Sequence, residues 1–167
     1  MAKNYAYRMD HDTGFAPNLD FGLCTLSGCK INTVERWAEK GSWVIGIGGR
    51  GTNQSDRLIY AMNVEENLTY PAFATRYPRK SQYLREKSVK SVLVSRRYFY
   101  FGDSAIDLPT ELRHLIIERQ GCIRVSDTDV SQLEKYLLSN FGYGVHGKPN
   151  NPNPRSYRSG CQCSIRK

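Results

Sequence analysis

The stretch from residue 12 to residue 30, DTGFAPNLDFGLCTLSGCK, restricts what this chain can fold into more than any other. Gly14, Gly22 and Gly28 admit backbone angles that other residues resist. Pro17 fixes its own φ and biases Ala16 toward an extended conformation, while Asn18 and Asp20 bond readily to nearby backbone. Regular structure cannot run through such a segment from end to end. A folded domain must therefore order an irregular loop here, and loops that are costly to order tend to carry function. Hydrogen-bonding and reactive groups crowd it: Asp12, Asn18, Cys24, Thr25, Cys29 and Lys30, with Phe15 and Phe21 adding flat apolar faces.

Regular elements are legible on both sides. Residues 4–9 alternate, with Tyr5, Tyr7 and Met9 on one side and Ala6 and Arg8 on the other, as a strand requires. Residues 32–35 have capping-box spacing and open a short helix that Gly41 ends. Residues 43–47 and 58–64 read as antiparallel strands joined by a turn-rich loop at 48–56. Residues 67–90 show no clean period and predict an irregular, basic and aromatic excursion with one helical turn. Residues 92–101 are strand-like, 103–108 a turn and 109–120 a helix. The spacing predicts a further helix over 126–139, with Asp129 and Gln132 as capping box and Val130, Leu133 and Leu137 as its apolar stripe. Strands lead and helices follow, which indicates an α+β fold. Residues 1–147 are expected to form one such domain. Residues 148–167 are polar, Pro-rich and basic, and predict a flexible tail.

Several of these segments together resemble a known family. The run D-x-G-F-A-P-N at 12–18 and C-T-L-x-x-C-K at 24–30 resemble the second type of nucleotide-modification-associated domain. GSWVIGIGG at 41–49, LIYAMNV at 58–64 and VLVSRRYFYFG at 92–102 fit the same pattern, so the resemblance spans roughly residues 5–145. Ser42 departs from it, since Asp is expected after the Gly, and the tail beyond Lys148 lies outside it. The resemblance implies a setting among systems that make or handle modified DNA bases in bacteria and phages, and does not imply a particular reaction. The approach to the hairpin at 41–44 is also similar to base-binding barrels of the PUA and EVE kind. By that analogy the expected fold is a mostly antiparallel, partly closed β-barrel with two or three helices.

The net charge of +8 is unevenly placed. Residues 76–97 carry eight basic side chains against Glu86 alone, and residues 148–167 carry five with no acid. A mildly acidic body with two basic segments suits a nucleic acid or nucleotide partner. No apolar run reaches the ~20 residues needed to span a bilayer, and MAKNYAYRMD lacks the apolar core of a signal peptide. A cytoplasmic location without membrane association is expected. Five cysteines in that setting do not suggest a disulfide framework.

Three kinds of chemistry are open to these residues. Asp12 and Asn18 can read the edge of a base, with Thr25, Lys30, Phe15, Trp43 and Tyr60 as neighbours or stacking partners. Arg50, Arg79, Lys80, Arg85, Arg96 and Arg97 are candidates for phosphate. Cys24 with Asp12, and Lys30 beside them, is the enzymatic alternative, set against burial of Cys24 and Cys29 as small apolar side chains. Trp43 is equally suited to the core, and Asp12 and Asn18 are equally suited to forming turns alone. Residues 46–51 match G-x-G-x-x-G, but a strand and not a helix follows, so they read as a hairpin loop. The cysteine and histidine spacings give no convincing metal site, the zinc-deaminase signature is absent, and no cofactor is expected. The favoured reading is recognition of a base or nucleotide by residues 12–30. A protein-interaction module of a defence or phage operon is the other alternative.

Overall fold

The computed structural model describes residues 2–27, 34, 38–82 and 91–152. Among the described residues, two sheets and three helices with full bounds make the frame. The strands are β1 (Asn4–Met9), β2 (Cys24–Leu26), β3 (Trp43–Gly48), β4 (Leu58–Asn63), β5 (Glu66–Leu68), β6 (Val92–Ser95), β7 (Tyr98–Tyr100), β8 (Cys122–Val125) and β9 (Gly144–Val145). The helices are α1 (Tyr70–Arg76), α2 (Pro78–Ser81) and α3 (Asp127–Asn140). The large sheet runs β8-β1-β3-β4-β7-β9, and the small one β2-β6-β5.

Alternation along the strands sorts the core into layers. Tyr5, Tyr7 and Met9 of β1, Val44 of β3, Tyr60 and Met62 of β4, and Tyr98 and Tyr100 of β7 pack with Cys24, Leu26 and Leu93 of the small sheet. Ala6, Trp43, Ile45, Ile47, Ala61 and Phe99 point the other way, onto Val130, Leu133 and Leu137 of α3. On the outer side of the small sheet, Phe73 of α1 meets Leu23, Val92 and Val94. The molecule is thus α+β and mostly antiparallel, as expected. Among the described residues the strands do not close into a barrel. They form two open sheets, because β1 pairs in parallel with β3 and leaves its other side to β8.

Several local expectations are corrected. Residues 67–82 are not irregular: Pro71 and Pro78 sit in the first turns of α1 and α2, where a missing N–H costs nothing. The helix expected over 109–120 is only a 3-10 turn, Thr110–Leu115, whose buried Leu112 and Leu115 follow a three-residue period. For α3 the stripe is as read, but the cap lies three residues earlier. The Ser126 hydroxyl accepts from the Asp129 N–H at 3.0 Å, and Asp129 occupies the third helical position. Residues 32, 33 and 35 of the expected helix after the loop lie outside the described residues. The β3–β4 hairpin forms as expected, with a register shift between Gly46 and Ile47. Its glycines answer to packing. A Cβ on Gly46 would lie 2.4 Å from the Tyr60 ring, and one on Gly51 2.1 Å from the Asp10 carbonyl.

Candidate functional site

The 12–27 segment folds inward. The chain reverses where Phe21 and Gly22 take φ of 62° and 70°, and β2 then carries Cys24 to Leu26 beneath the large sheet. Asn18 and Thr25 exchange backbone hydrogen bonds at 2.9 Å in both directions and close the loop on itself. The Asn18 side chain is used up within the turn. Its Nδ2 donates to the Gly14 carbonyl and to Asp20 Oδ2, each at 3.1 Å, and its Oδ1 accepts from the Asp20 N–H at 3.2 Å.

Lys80 fastens this loop from α2. It is fully buried, and its Nζ donates to the carbonyls of Asn18, Asp20 and Leu23 at 3.0, 2.7 and 2.5 Å. Burial pushes its pKa down to about 8, opposed by Cys24 and Asp20. The expected phosphate ligand is therefore an internal cation, because three converging carbonyls replace its water.

Asp12 lies at the other end of the loop with no exposed surface. Both carboxylate oxygens accept from the Tyr100 hydroxyl at 2.8 Å. Oδ2 also accepts from the Asn150 N–H at 3.1 Å and from its Nδ2 at 3.0 Å. The Asp12 N–H donates to Asn151 Oδ1 at 3.0 Å, and the Asn151 N–H donates back to the Asp12 carbonyl at 2.8 Å. Burial, with Asp12 as the next cause, raises the Tyr100 phenol well above the ordinary tyrosine range, so it stays a donor. The chain thus remains bonded to the domain through Asn151, past the expected boundary at Lys148.

Cys24 shares the inter-sheet core with Tyr98 and Tyr100, and its Sγ lies 3.8 Å from Met62 Sδ. Burial pushes its pKa up to about 12, with Lys80 opposing, so at neutral pH it is a thiol and not the thiolate a nucleophile requires. Phe15, Thr25 and Tyr60 are buried, and the Tyr60 hydroxyl sits 2.7 Å from that of Tyr7. Trp43 is on the opposite face of the sheet, its ring centroid 6.4 Å from that of Phe99, so the pleat separates it from Asp12. Lys30, Cys29 and Arg85 lie outside the described residues.

Among the described residues, three arginines of the basic run are neutralised from within. Arg76 pairs with Glu66 at 2.8 Å, Arg97 with Glu134 at 2.8 Å, and Arg96 bonds Tyr77 beside Glu65 and Glu66. Arg50 and Arg79 are exposed, and among the described residues neither forms an ion pair. No group of three or more His, Cys, Asp or Glu suited to a metal occurs among the described residues, nor does any helix long and apolar enough to cross a membrane. Tyr100, Asn150 and the internal role of Lys80 were not legible as a site. Only the alternation of Tyr98 and Tyr100 within β7 hinted that two phenols face one way.

The fold and the buried polar loop define a two-sheet α+β domain organised around its first long loop. The chain belongs to the nucleotide modification associated domain 2 family, whose profile matches residues 1–82 and 76–155. That membership associates it with nucleotide modification. Searches of curated proteins and of solved structures returned no match.

Proposed function

We propose that the domain recognises a nucleobase or nucleotide, in connection with DNA base modification, at Asp12. One observation carries this reading. A fully buried carboxylate, oriented by the Tyr100 phenol, accepts two N–H donors from Asn150 on a single oxygen. Those donors have the chemistry of a base edge, which a carboxylate reads through N–H groups. The 148–151 strap then stands in for the base when none is bound. Recognition is favoured over catalysis because the Cys24 thiol is held protonated. The analogy with PUA and EVE barrels rests on the β3–β4 hairpin alone.

The test is a panel of nucleosides, nucleotides and oligonucleotides titrated against the full chain, followed by NMR. Asn150→Ala should strengthen nucleoside binding by freeing Asp12, and Asp12→Asn should abolish nucleoside binding while circular dichroism confirms folding. Wild type and Asn150→Ala both failing to bind any member would overturn the reading. A second reading, a protein-interaction module, draws on the exposed Leu138, Phe141, Tyr143 and Val145 beside edge strand β9. Binding of oligonucleotides that falls steeply with salt speaks against it.

A further inference from the structure

Arg76, Arg96 and Arg97 of the basic segment obvious in the sequence are spent on internal acids and phenols, whereas cations scattered along the chain meet at one concave surface. Lys3 before β1, Lys40 before β3 and Arg124 on edge strand β8 line a cleft of about 700 Å³. The buried Tyr5 also lines it, with Cys122 and Ile123. The Asn67 side chain, tied to the Ala38 carbonyl at 2.7 Å, fixes one wall. Glu39 is the single acid in this lining. Among the described residues none of the three cations takes part in an ion pair.

The Arg124 guanidinium stands 5.4 Å from the centre of the Tyr5 ring. Such a contact orients the guanidinium plane and leaves its donors for a partner. The volume falls within the range of small-molecule sites, roughly 300–1,000 Å³. Three exposed cations around one hollow suit an anion, and a tetrahedral phosphate accepts from ammonium and guanidinium groups together.

We infer that the cleft lined by Lys3, Tyr5, Lys40 and Arg124 is a binding site for the phosphate group of a nucleotide or of a nucleic-acid strand. Lys40 and Lys3 supply point charge, and Arg124 supplies a two-pronged contact. Lys3 and Asp12 lie off opposite ends of β1, about 20 Å apart along a strand of that length, so this site is separate from the one at Asp12.

The experiment titrates the full chain with thymidine 5′-monophosphate, thymidine, inorganic phosphate and an oligothymidylate. Affinity is read by calorimetry, and occupancy by protection of the half-buried Cys122 from alkylation, measured on its own peptide by mass spectrometry. Thymidine should fail to protect Cys122, while the phosphate-bearing ligands should slow its labelling. Arg124→Glu and Lys40→Glu should each weaken binding by about tenfold or more, with Arg124→Lys intermediate. Lys135→Glu, at an exposed cation of α3 outside the cleft, should leave it unchanged. Tighter binding of the oligothymidylate assigns the phosphate to a strand, and tighter binding of the monophosphate assigns it to a free nucleotide. Asp12→Asn should leave the protection of Cys122 by phosphate-bearing ligands unchanged while it removes nucleoside binding, which keeps this test distinct from the base-recognition one. The inference is overturned if no phosphate-bearing ligand protects Cys122, or if Lys135→Glu weakens binding as much as Arg124→Glu.

Discussion

Replacing Lys80 by methionine removes the ammonium and keeps the length of the side chain. The Asn18 carbonyl still accepts from the Thr25 N–H at 2.9 Å, and the Asp20 carbonyl from the Leu23 N–H at 3.4 Å. The Leu23 carbonyl loses the donor that stood at 2.5 Å, and a bare buried acceptor costs about 1–3 kcal/mol. Opposed to that loss is the cost of burying the charge, which lowers the Lys80 pKa from 10.5 to about 8. At about 1.36 kcal/mol per pH unit this amounts to roughly 3 kcal/mol. The two effects have opposite sign and similar size, so stability at pH 7 is a poor readout and its pH dependence a good one. Between about pH 8 and 10.5 the unfolded chain still holds a proton that the folded chain has released, so stability rises with pH. Integrated from pH 8 to pH 9, the gain from Lys80 is about 1 kcal/mol. Cys24 acts in the opposite direction. Its unfolded thiol ionises near 9.0 and its folded thiol near 12, so its contribution is lost as pH rises from 9. Removing Lys80, which opposes that rise, pushes the Cys24 pKa higher still, but between pH 8 and 9 the folded thiol is protonated in both proteins, so the loss nearly cancels in their difference. Urea unfolding of both proteins at several pH values between 8 and 9 should show wild type gaining about 1 kcal/mol on the variant. Parallel curves for the two proteins would refute the assignment of Lys80 as a buried charge.

Other expectations follow from single contacts. Cys24 should resist alkylation at neutral pH in the folded protein and label only as urea unfolds it, while Cys122 labels in the native state; equal rates would contradict the burial of Cys24. Gly46→Ala should destabilise by about 1–3 kcal/mol, because its Cβ would press on the Tyr60 ring and the Met9 sulfur, and an unchanged thermal midpoint would show that these side chains yield freely. Ser126→Ala should cost about 1 kcal/mol through loss of the α3 cap, and Ser126→Asp should restore most of it in the same denaturation assay.

How far the site was legible depends on the distance over which its parts interact. Asp12, Asn18 and Cys24 drew attention because a Gly- and Pro-rich segment must justify its order. Which of them faces what could not be read, since Asn18 is consumed within its own turn while Asp12 waits for partners 88 and 138 residues away. The basic run at 76–97 looked like a surface for phosphate. Its acids, Glu65, Glu66 and Glu134, come from other elements, so the neutralisation is invisible along the chain.

The alternation of Tyr5, Tyr7 and Met9, the stripe of Val130, Leu133 and Leu137, and the mixture of strands and helices were properties of the sequence alone, because side-chain periodicity is local. The parallel pairing of β1 with β3, the division into two sheets, the burial of Lys80 and the gathering of Lys3, Lys40 and Arg124 around Tyr5 were decided only in three dimensions. Each depends on which distant segments become neighbours, and burial and charge compensation come into being only when they do.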